Sequence, residues 1–463
     1  MIFLILYKKR KAPFEHIRLN GAFCLEVLFI KSIWKDTADL PEFPPLKGDT
    51  KTDVLIIGGG IVGILTAYFL AQENINYILV NGGRICDRTT GNTTAKITFQ
   101  HGLIYSKILS MYGKEGAKQY LASNKEAAHR YYELCKNIDC DYEIKDNYVY
   151  SLDNRKILEK ELEALKTIDY NGEFCEKIPL PINTVGAIKF SSQAQFNPIK
   201  FISEISKDLN IYENTTVLEM IGNMAVTNRG KISAEKVIVT THFPFINKHG
   251  SYYLKLYQHR SYVLALENAA DVKAMYVDEN KKGMSFRNYK NLLLLGGGGH
   301  RTGKPGGNWT ELRDFVKINY PLAKEVGFWA AQDCMSLDGI PYIGKYSKNT
   351  GNLFVASGFN KWGMTGAMTA AMLLKDLIAD KPNDFAELYS PSRSIIKPQL
   401  FINGFEATTN LLTPTKRRCP HLGCALKWNK AERSWDCPCH GSRFTEKGKV
   451  IDNPANGACK KTV

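Results

Sequence analysis

Three absences narrow the class of protein encoded by this sequence of 463 residues. No apolar run is long enough to span a bilayer, which excludes a transmembrane helix. The first seven residues are apolar and four basic residues follow them, the reverse of the order in a secretory signal, so we expect a cytoplasmic protein. No basic stretch is interleaved with aromatic side chains, so we expect no nucleic-acid partner.

Acidic residues are scarce relative to basic ones. The chain carries 61 Lys and Arg against 46 Asp and Glu, a net charge of +15, and from Pro391 onward the ratio is thirteen to five. The C-terminal segment is therefore either a solvated basic surface or a docking face for an acidic electron-transfer partner. The apolar content of 44% is ordinary for a globular protein, and the length allows about two to four domains.

A glycine-rich turn lies between a predicted strand and a predicted helix. Residues 54–57 form a β-branched run, and Gly58, Gly60 and Gly63 then give the pattern G-x-G-x-x-G. In such a turn the first glycine permits a tight bend, the second lets a pyrophosphate approach the backbone, and the third lets helix and strand pack closely. We therefore predict a dinucleotide site here, in preference to a purely structural turn.

The acidic residue that usually ends the next strand of such a unit is absent. Residues 77–80 predict that strand, and Asn81 stands where Asp or Glu would accept a hydrogen bond from a ribose hydroxyl. An amide oxygen can accept this bond without charge assistance, so we predict that Asn81 contacts the ribose. The next loop, predicted to line a phosphate or a flavin edge, contains Thr89, Thr90, Gly91, Thr93 and Thr94.

Further segments with strand-forming composition occur later in the chain. Residues 211–218, which include the predicted cofactor contact Val217, and residues 236–241 are predicted to rejoin the first sheet, making that domain discontinuous. Residues 252–267 and 291–295 predict antiparallel strands of a second domain. The four glycines at 296–299 are expected to open the backbone there.

These motifs resemble the D-amino-acid-oxidase-like FAD-dependent oxidoreductases. The resemblance rests on the three glycines of the first turn, residues 89–91, residues 339–344 and residues 358–365, and it covers about residues 32–385. It implies an α/β fold with a discontinuous FAD-binding Rossmann-like domain and an inserted antiparallel-sheet substrate domain. It also implies that the first unit binds the FAD adenosine and pyrophosphate. The last helix, with Gly358 before it and Gly363, Met364 and Thr365 at its start, would face the flavin and stabilise its reduced anion.

Cysteine and histidine cluster near the C-terminal end. Cys419 and His421 are followed, after fifteen residues, by Cys437 and His440. These residues, on two loops, suit a [2Fe–2S] cluster in which two thiolates bind one iron and two imidazoles bind the other. A tetrahedral Zn²⁺ site is the alternative, because zinc also accepts two cysteines and two histidines.

The same spacing looks like a Rieske centre. This resemblance implies that Cys419, His421, Cys437 and His440 are the cluster ligands, and that Cys424 and Cys439 form a disulfide between the loops. Residues 1–31 show no sustained apolar period, so we expect either a disordered extension there or a start codon assigned too far upstream. We predict the flavoprotein at residues 32–398 and a shortened all-β Rieske domain at residues 399–463.

The combined resemblances predict an FAD-dependent enzyme that oxidises an amine or amino acid and passes electrons through the cluster to an external acceptor. The alternative is an electron-transfer or redox-sensing protein without such a substrate. Carboxylate substrates favour an arginine fork, and histidine and tyrosine can move protons. The catalytic candidates are His259, Arg260, Tyr262, Arg287, His300 and Arg301.

Overall fold

The structure is a computed structural model that describes residues 31–459. The predicted extension therefore lies outside the described residues, apart from Lys31. In chain order, the strands are β1 (Thr50–Ile57), β2 (Tyr77–Val80), β3 (Lys96–Ile97), β4 (Glu143–Ser151), β5 (Glu173–Cys175), β6 (Gly186–Gln195), β7 (Ile211–Tyr212), β8 (Val217–Ile221), β9 (Met224–Thr227), β10 (Gly230–Val239), β11 (Leu256–Glu267), β12 (Met275–Asp278), β13 (Ser285–Tyr289), β14 (Leu292–Arg301), β15 (Lys324–Ser336), β16 (Tyr342–Lys345), β17 (Leu353–Ser357), β18 (Lys427–Asn429), β19 (Ser434–Asp436), β20 (Arg443–Thr445) and β21 (Val450–Asp452).

The helices pack on the strands or connect the sheets. They are α1 (Ile61–Gln72), α2 (Tyr105–Cys135), α3 (Arg155–Thr167), α4 (Pro198–Ile205), α5 (Tyr252–Lys255), α6 (Thr310–Asn319), α7 (Gly363–Ile378), α8 (Ala386–Tyr389) and α9 (Pro398–Leu412), with short 3-10 turns at Ile33–Asp36 and Thr90–Asn92. Among these helices none is long and apolar enough to cross a membrane.

The first sheet confirms the predicted discontinuous domain. Its strands run in the order β16-β17-β10-β1-β2-β7, and β10 and β17 continue the parallel pairing that β1 and β2 begin. Strand β9 pairs antiparallel with β10, and β8 pairs with β9 in turn. All four residues of β2 are buried, as expected for a parallel sheet covered on both faces. Helices α1 and α7 pack against each other over this sheet.

The second sheet confirms the inserted domain, with two local corrections. Its nine strands follow the order β15-β11-β14-β13-β12-β4-β6-β3, with β5 on β6. Residues 252–255, predicted as strand, form helix α5. The glycines at 296–299 lie inside strand β14, where a side chain at Gly297 would meet Leu312 of helix α6 at 2.8 Å. A Cβ at Gly299 would lie 2.4 Å from the carbonyl oxygen of Lys281. Close packing by more than one segment, and not an open loop, therefore explains the glycine run.

The third sheet is small and antiparallel, in the order β18-β19-β20-β21, with three residues in each strand. Helix α9 leads into it where the sequence predicted few strand-forming residues. A buried cluster that contains the five C-terminal-domain cysteines 419, 424, 437, 439 and 459 forms its core.

A buried ion pair fixes the loop between β15 and β16 to the segment after α8. Arg393 donates two hydrogen bonds, at 2.8 and 2.9 Å, to Asp338, and the hydroxyl of Tyr112 donates a third at 2.7 Å. Although burial alone would raise the pKa of Asp338, its hydrogen bonds with Arg393 lower that pKa to about 2. The ionised carboxylate therefore stabilises the fold at pH values above its ordinary pKa. This contribution is lost as the pH falls toward the pKa of Asp338 in the folded protein.

We expect Asp338→Asn to lower the free energy of unfolding at neutral pH by about 2–3 kcal/mol, given a shift of roughly two pKa units. The difference from wild type, measured by urea unfolding, should shrink as the pH falls from about 4 to about 2. Asp380→Asn is the matched control, because Asp380 pairs with Lys236 at 2.7 Å but is 84% exposed. Equal losses in the two variants would contradict this role for Asp338.

Candidate active site and cluster centre

The predicted phosphate-binding turn has the geometry that its glycines suggest. Gly58 has φ +119°, and a Cβ there would lie 2.8 Å from the carbonyl oxygen of Thr240. A Cβ at Gly63 would lie 1.9 Å from the carbonyl oxygen of Gly58, so helix and strand are in direct backbone contact. A Cβ at Gly60 would meet only Thr90, at 3.5 Å. The backbone at Gly60 is thus open to a ligand at the start of α1.

Asn81 organises the turn beside these glycines. Its Oδ1 accepts a hydrogen bond from the N–H of Gly59 at 2.9 Å, and its Nδ2 donates to the carbonyl oxygens of Gly83 at 3.1 Å and Arg84 at 2.9 Å. The amide therefore supplies both donors and an acceptor, which a carboxylate could not. The second lone pair of Oδ1 is what remains for the predicted ribose contact.

One large cavity, of about 830 Å³, runs from this turn between the first two sheets. Ten of the predicted cofactor contacts line it: Gly58, Gly60, Asn81, Thr89, Thr90, Thr93, Thr94, Val217, Gly363 and Met364. The other four, Gly63, Gly91, Gly358 and Thr365, lie behind its wall. Gly91 serves close packing there, because a Cβ would lie 2.5 Å from the carbonyl oxygen of Cys86.

The hydroxyl-rich loop joins the two sheets at the cavity. The hydroxyl of Thr90 accepts a hydrogen bond from the N–H of Ile61 at 3.1 Å and so caps helix α1. The hydroxyl of Thr89 donates to the carbonyl oxygen of Gln332 on β15 at 3.2 Å. These bonds leave the loop fixed against the cavity wall.

The start of helix α7 is held by a neutral histidine. Nε2 of His101 lies 2.8 Å from the carbonyl oxygen of Thr98, so it carries the proton, and Nδ1 accepts from the hydroxyl of Tyr120 at 2.7 Å. Burial lowers the pKa of His101 to about 3. Its ring stacks on Trp362, with centroids 5.0 Å apart, directly before the first turn of α7. That turn has N–H groups without partners inside the helix, which suits a ligand with negative charge.

Four lysines line the same cavity, and the sequence had not singled them out: Lys96, Lys107, Lys281 and Lys361. Nζ of Lys361 lies 3.4 Å from the carbonyl oxygen of Lys281, and Nζ of Lys107 lies beside the loop that precedes β16. Burial lowers the pKa of Lys361 and of Lys107. The group is a cationic region suited to a carboxylate.

Of the six catalytic candidates, only Tyr262 lines the cavity. Arg287 is fully buried, and its Nη1 donates to the carbonyl oxygens of Thr94 and Ala95 at 2.6 and 2.8 Å. Burial lowers the pKa of Arg287 to about 9. The guanidinium therefore braces the hydroxyl-rich loop.

The other two arginines face the small C-terminal domain. Arg301 donates to the carbonyl oxygen of Pro438 at 3.1 Å. Arg260 donates through Nε to Glu432 at 3.1 Å, with a second contact through Nη2. The structure thus places these arginines at the boundary between the domains, where neither reaches the cavity.

The two histidine candidates are also buried. His300 stacks on Tyr262 with centroids 5.8 Å apart, and the Tyr262 hydroxyl donates to Glu432 at 3.2 Å. Burial lowers the pKa of His300, and it lowers the pKa of His259 to about 2. Both rings are therefore neutral around pH 7.

The small domain presents the two predicted ligand loops in matching conformations. The N–H of Gly423 donates to the carbonyl oxygen of Cys419, and that of Gly441 to Cys437, each at 2.9 Å. Both glycines have φ +80°, a left-handed conformation that favours glycine. The repeated turn explains why one Cys and one His project from each loop.

The donor atoms in these loops fit an iron–sulfur cluster. Nδ1 of His421 and Nδ1 of His440 are buried without a hydrogen-bond partner in the described chain, while Nε2 of His440 donates to the carbonyl oxygen of Tyr253 at 3.1 Å. The thiols of Cys419 and Cys437 share a hydrogen bond, which lowers the pKa of Cys419 to about 7. Two sulfurs and two buried ring nitrogens without partners are the ligand set expected for a Rieske cluster.

The predicted disulfide between Cys424 and Cys439 is confirmed, with a Cα–Cα distance of 6.7 Å. The sulfur atoms of Cys424, Cys437 and Cys439 also lie within 4.8 Å of one another, a grouping that resembles a metal site. Two of these sulfurs are bonded to each other, so they cannot supply thiolates. The disulfide instead ties the two ligand loops together.

A buried ion network joins the small domain to β11. Glu432 accepts hydrogen bonds from Arg260 and, at 2.8 Å, from Arg443, whose Nε donates to Asp436 at 3.0 Å. Although burial alone would raise the pKa of Glu432, the two guanidinium groups lower it. Residues 450, 452, 453, 455 and 456 of the small domain line the large cavity. The two domains therefore share one cavity wall.

Asn81→Asp should weaken FAD binding by about tenfold, because replacing the amide removes its two donated hydrogen bonds at about 1 kcal/mol or less each. Fluorescence titration of deflavinated protein with FAD measures the effect. Asn76→Asp is the control, since the Asn76 side chain donates to the exposed Asp53, at 3.3 Å, away from the turn. Unchanged affinity in Asn81→Asp would show that the turn holds its shape without the amide.

Comparison with known families agrees with both parts of the site. Residues 53–377 match the DAO family, described as FAD dependent oxidoreductase, and residues 402–462 match the Rieske [2Fe-2S] domain. YhfW of Bacillus subtilis (strain 168), described as a Rieske 2Fe-2S iron-sulfur protein, is 31% identical over 92% of this chain and 96% of its own. The cytochrome b6-f complex iron-sulfur subunit of Nostoc punctiforme is 57% identical over 37 residues, which are 8% of this chain and 21% of that protein.

Solved structures share the fold of the larger part. Glycine oxidase from Geobacillus kaustophilus has a TM-score of 0.63 at 18% identity and covers 74% of this chain and 99% of its own. L-Proline dehydrogenase from P. horikoshii also has a TM-score of 0.63, at 17% identity, over 75% of this chain and 98% of its own. This chain is therefore a member of the DAO family of FAD-dependent oxidoreductases with a C-terminal Rieske domain, and its cofactors are FAD and a [2Fe–2S] cluster.

Proposed function

We propose that the protein oxidises an amine or amino acid at FAD and delivers the electrons through the Rieske cluster to an external acceptor. The observation that carries this proposal is the shared cavity, which the phosphate-binding turn, four lysines and a segment of the Rieske domain all line. A flavin accepts two electrons together and releases them singly, and a Rieske cluster accepts them one at a time. The presence of both cofactors in one chain is explained if the electrons from substrate oxidation pass from the flavin to the cluster.

The lysine region supports an amino acid as substrate. Lys107, Lys281 and Lys361 provide three cationic groups for a carboxylate, the role first assigned to the arginines. Structures with this fold include glycine oxidase, L-proline dehydrogenase and the L-amino acid deaminase of Proteus vulgaris. We propose that the lysines bind the substrate carboxylate while the Trp362 segment closes the end of the cavity at the flavin.

The contacts between the domains support a direct path for electrons. The backbone of Tyr253 accepts a hydrogen bond from the cluster ligand His440, and Gln332 on β15 donates to the carbonyl oxygen of Gly441 at 2.9 Å. A Cβ at Gly441 would lie 2.1 Å from Gln258 of β11, so the loop rests on that strand. These residues hold the cluster loop against β11 and β15, and the residues next to them on those strands, Tyr257 and Asp333, line the cavity.

The ligand loop that contains His421 is the more exposed of the two, and we propose that the external acceptor binds beside it. His421 is half-buried, and its Nε2 bonds to Asn247 at 3.0 Å at an exposed position. An acidic electron-transfer partner, expected from the basic C-terminal segment, would approach here. Higher salt should slow transfer to such a partner, because surface charges are screened within about 8–10 Å at physiological ionic strength.

The test of the proposed function is anaerobic mixing of wild type and Cys437→Ser with a panel of amines and amino acids. Removing a thiolate should abolish the cluster while the flavin is still reduced, and bleached, by the substrate at close to the wild-type rate. Transfer to a one-electron acceptor should slow at least about tenfold, the change expected when a required redox centre is missing. Flavin that no substrate of the panel bleaches would instead favour a redox-sensing protein. Zinc without iron in the wild type would contradict the cluster.

Lys281→Met should raise KM for the carboxylate substrate by about tenfold or more, because a charge-assisted contact contributes roughly 1.5–3 kcal/mol. Lys282→Met is the matched control, since that exposed neighbour does not line the cavity. Steady-state kinetics with the substrate and with its amide distinguish the variants, because the amide lacks the charge that the lysine would bind. If Lys281→Met has the same KM as wild type for the acid and for the amide, this lysine does not bind the substrate carboxylate.

A further inference from the structure

Helix α9 has the reverse of the usual surface pattern. Its buried residues are Asn403 and Asn410, whereas Phe401, Phe405 and Leu412 are 70%, 71% and 77% exposed. These three lie four and seven residues apart, which places them on one side of the helix. A surface helix of a globular protein normally buries its apolar stripe, so this face lacks the partner that its sequence fits.

The apolar surface extends beyond one stripe. Seven of the fifteen large apolar side chains that are exposed in the described chain fall between positions 396 and 422. They are Ile396, Phe401, Ile402, Phe405, Leu411, Leu412 and Leu422, and together we call them the α9 patch. Such a concentration marks an interaction surface, whereas single exposed apolar residues do not.

Basic residues flank the α9 patch at both ends. Lys397 precedes the helix, and residues 416–418 are a Lys-Arg-Arg run just after it. The helix itself has one charged residue, Glu406, which is 12% exposed and bonds to Lys304 at 2.7 Å. The outer face is therefore apolar and uncharged, between two basic segments.

The patch lies next to the cluster. The N–H of Ala425 donates to the carbonyl oxygen of Asn410 at 2.9 Å, and Arg418 donates to those of Leu411 at 3.0 Å and Gly423 at 2.8 Å. Leu422, a member of the patch, directly follows the ligand His421. Any surface that covers the patch is thus brought against the first ligand loop.

We propose that the α9 patch binds the surface of an anionic lipid bilayer, with the helix lying in the interface and the Rieske loops close to the membrane. Apolar Phe and Leu side chains beside Lys and Arg are the composition of interfacial helices. A second copy of the chain fits less well, because a two-fold contact through this patch would bring like basic segments together. This inference does not depend on the substrate, and it requires no membrane-spanning helix.

The experiment is co-sedimentation of the purified full-length holoprotein with vesicles of phosphatidylcholine and phosphatidylglycerol. Wild type should pellet with these vesicles, should pellet less as salt is raised, and should stay in the supernatant with pure phosphatidylcholine. The triple variant Phe401→Ser, Phe405→Ser, Leu412→Ser should bind the anionic vesicles at least about tenfold more weakly, because interfacial binding scales with buried apolar area.

The matched control is the double variant Ile318→Ser, Leu322→Ser, which removes apolar side chains that are 77% and 85% exposed but belong to α6 and the turn after it. It should bind vesicles as wild type does. Flavin content and thermal unfolding confirm that each variant is folded. Wild type that stays in the supernatant with anionic vesicles would overturn the proposal. So would a concentration-dependent dimer that the triple variant abolishes while vesicle binding is unchanged.

Discussion

The placement of the Rieske domain depends on one carboxylate, Glu432, between two arginines. Arg260 comes from β11 of the flavoprotein and Arg443 from the Rieske sheet, and their side chains are 3% and 6% exposed. Removing one partner of such a group leaves a buried charge unpaired, which costs about 3–5 kcal/mol. The carboxylate therefore has one low-energy position, and that position sets the orientation of the cluster loops relative to β11.

This constraint connects the two halves of the proposed function. In the arrangement that contains this contact, residues 450, 452, 453, 455 and 456 of the Rieske domain line the cavity. The hydrogen bonds from Gln332 to Gly441 and from His440 to Tyr253 then become possible. A fixed arrangement suits electron transfer within one molecule, since no domain movement has to precede each electron. The α9 patch on the outer side of the first ligand loop would extend this path to an acceptor at a membrane.

Local geometry explains what could be predicted from the sequence. The G-x-G-x-x-G turn, the cluster ligands and the disulfide depend on backbone conformation or on spacing within about twenty residues, and both are visible in the chain. The discontinuous sheet was predicted because parallel strands leave apolar β-branched runs, as in β10. The cytoplasmic location, the residue roles and the domain limits stay predictions.

Long-range contacts explain what could not be predicted. Arg260 was chosen for its chemistry, but its partner Glu432 lies 172 residues away and no periodicity links them. The lysines of the cavity come from β3, α2, a hairpin and the turn before α7, so only folding brings them together. Lys361, in the turn that the sequence had already marked as facing the flavin, was the one member that could have been found. The glycines of β14 were misinterpreted for another reason: a glycine run does not show which side chains pack against it, even though α6 follows β14 closely in the chain.

The central claim is that electrons pass from flavin to cluster within one molecule. The most direct measurement is freeze-quench electron paramagnetic resonance of the wild-type holoprotein, mixed anaerobically with a substrate that bleaches the flavin, at several protein concentrations. The account predicts that the reduced Rieske signal appears after flavin reduction, with a rate constant independent of protein concentration. A rate that rises in proportion to protein concentration, or a cluster that stays oxidised beside a reduced flavin, would contradict it.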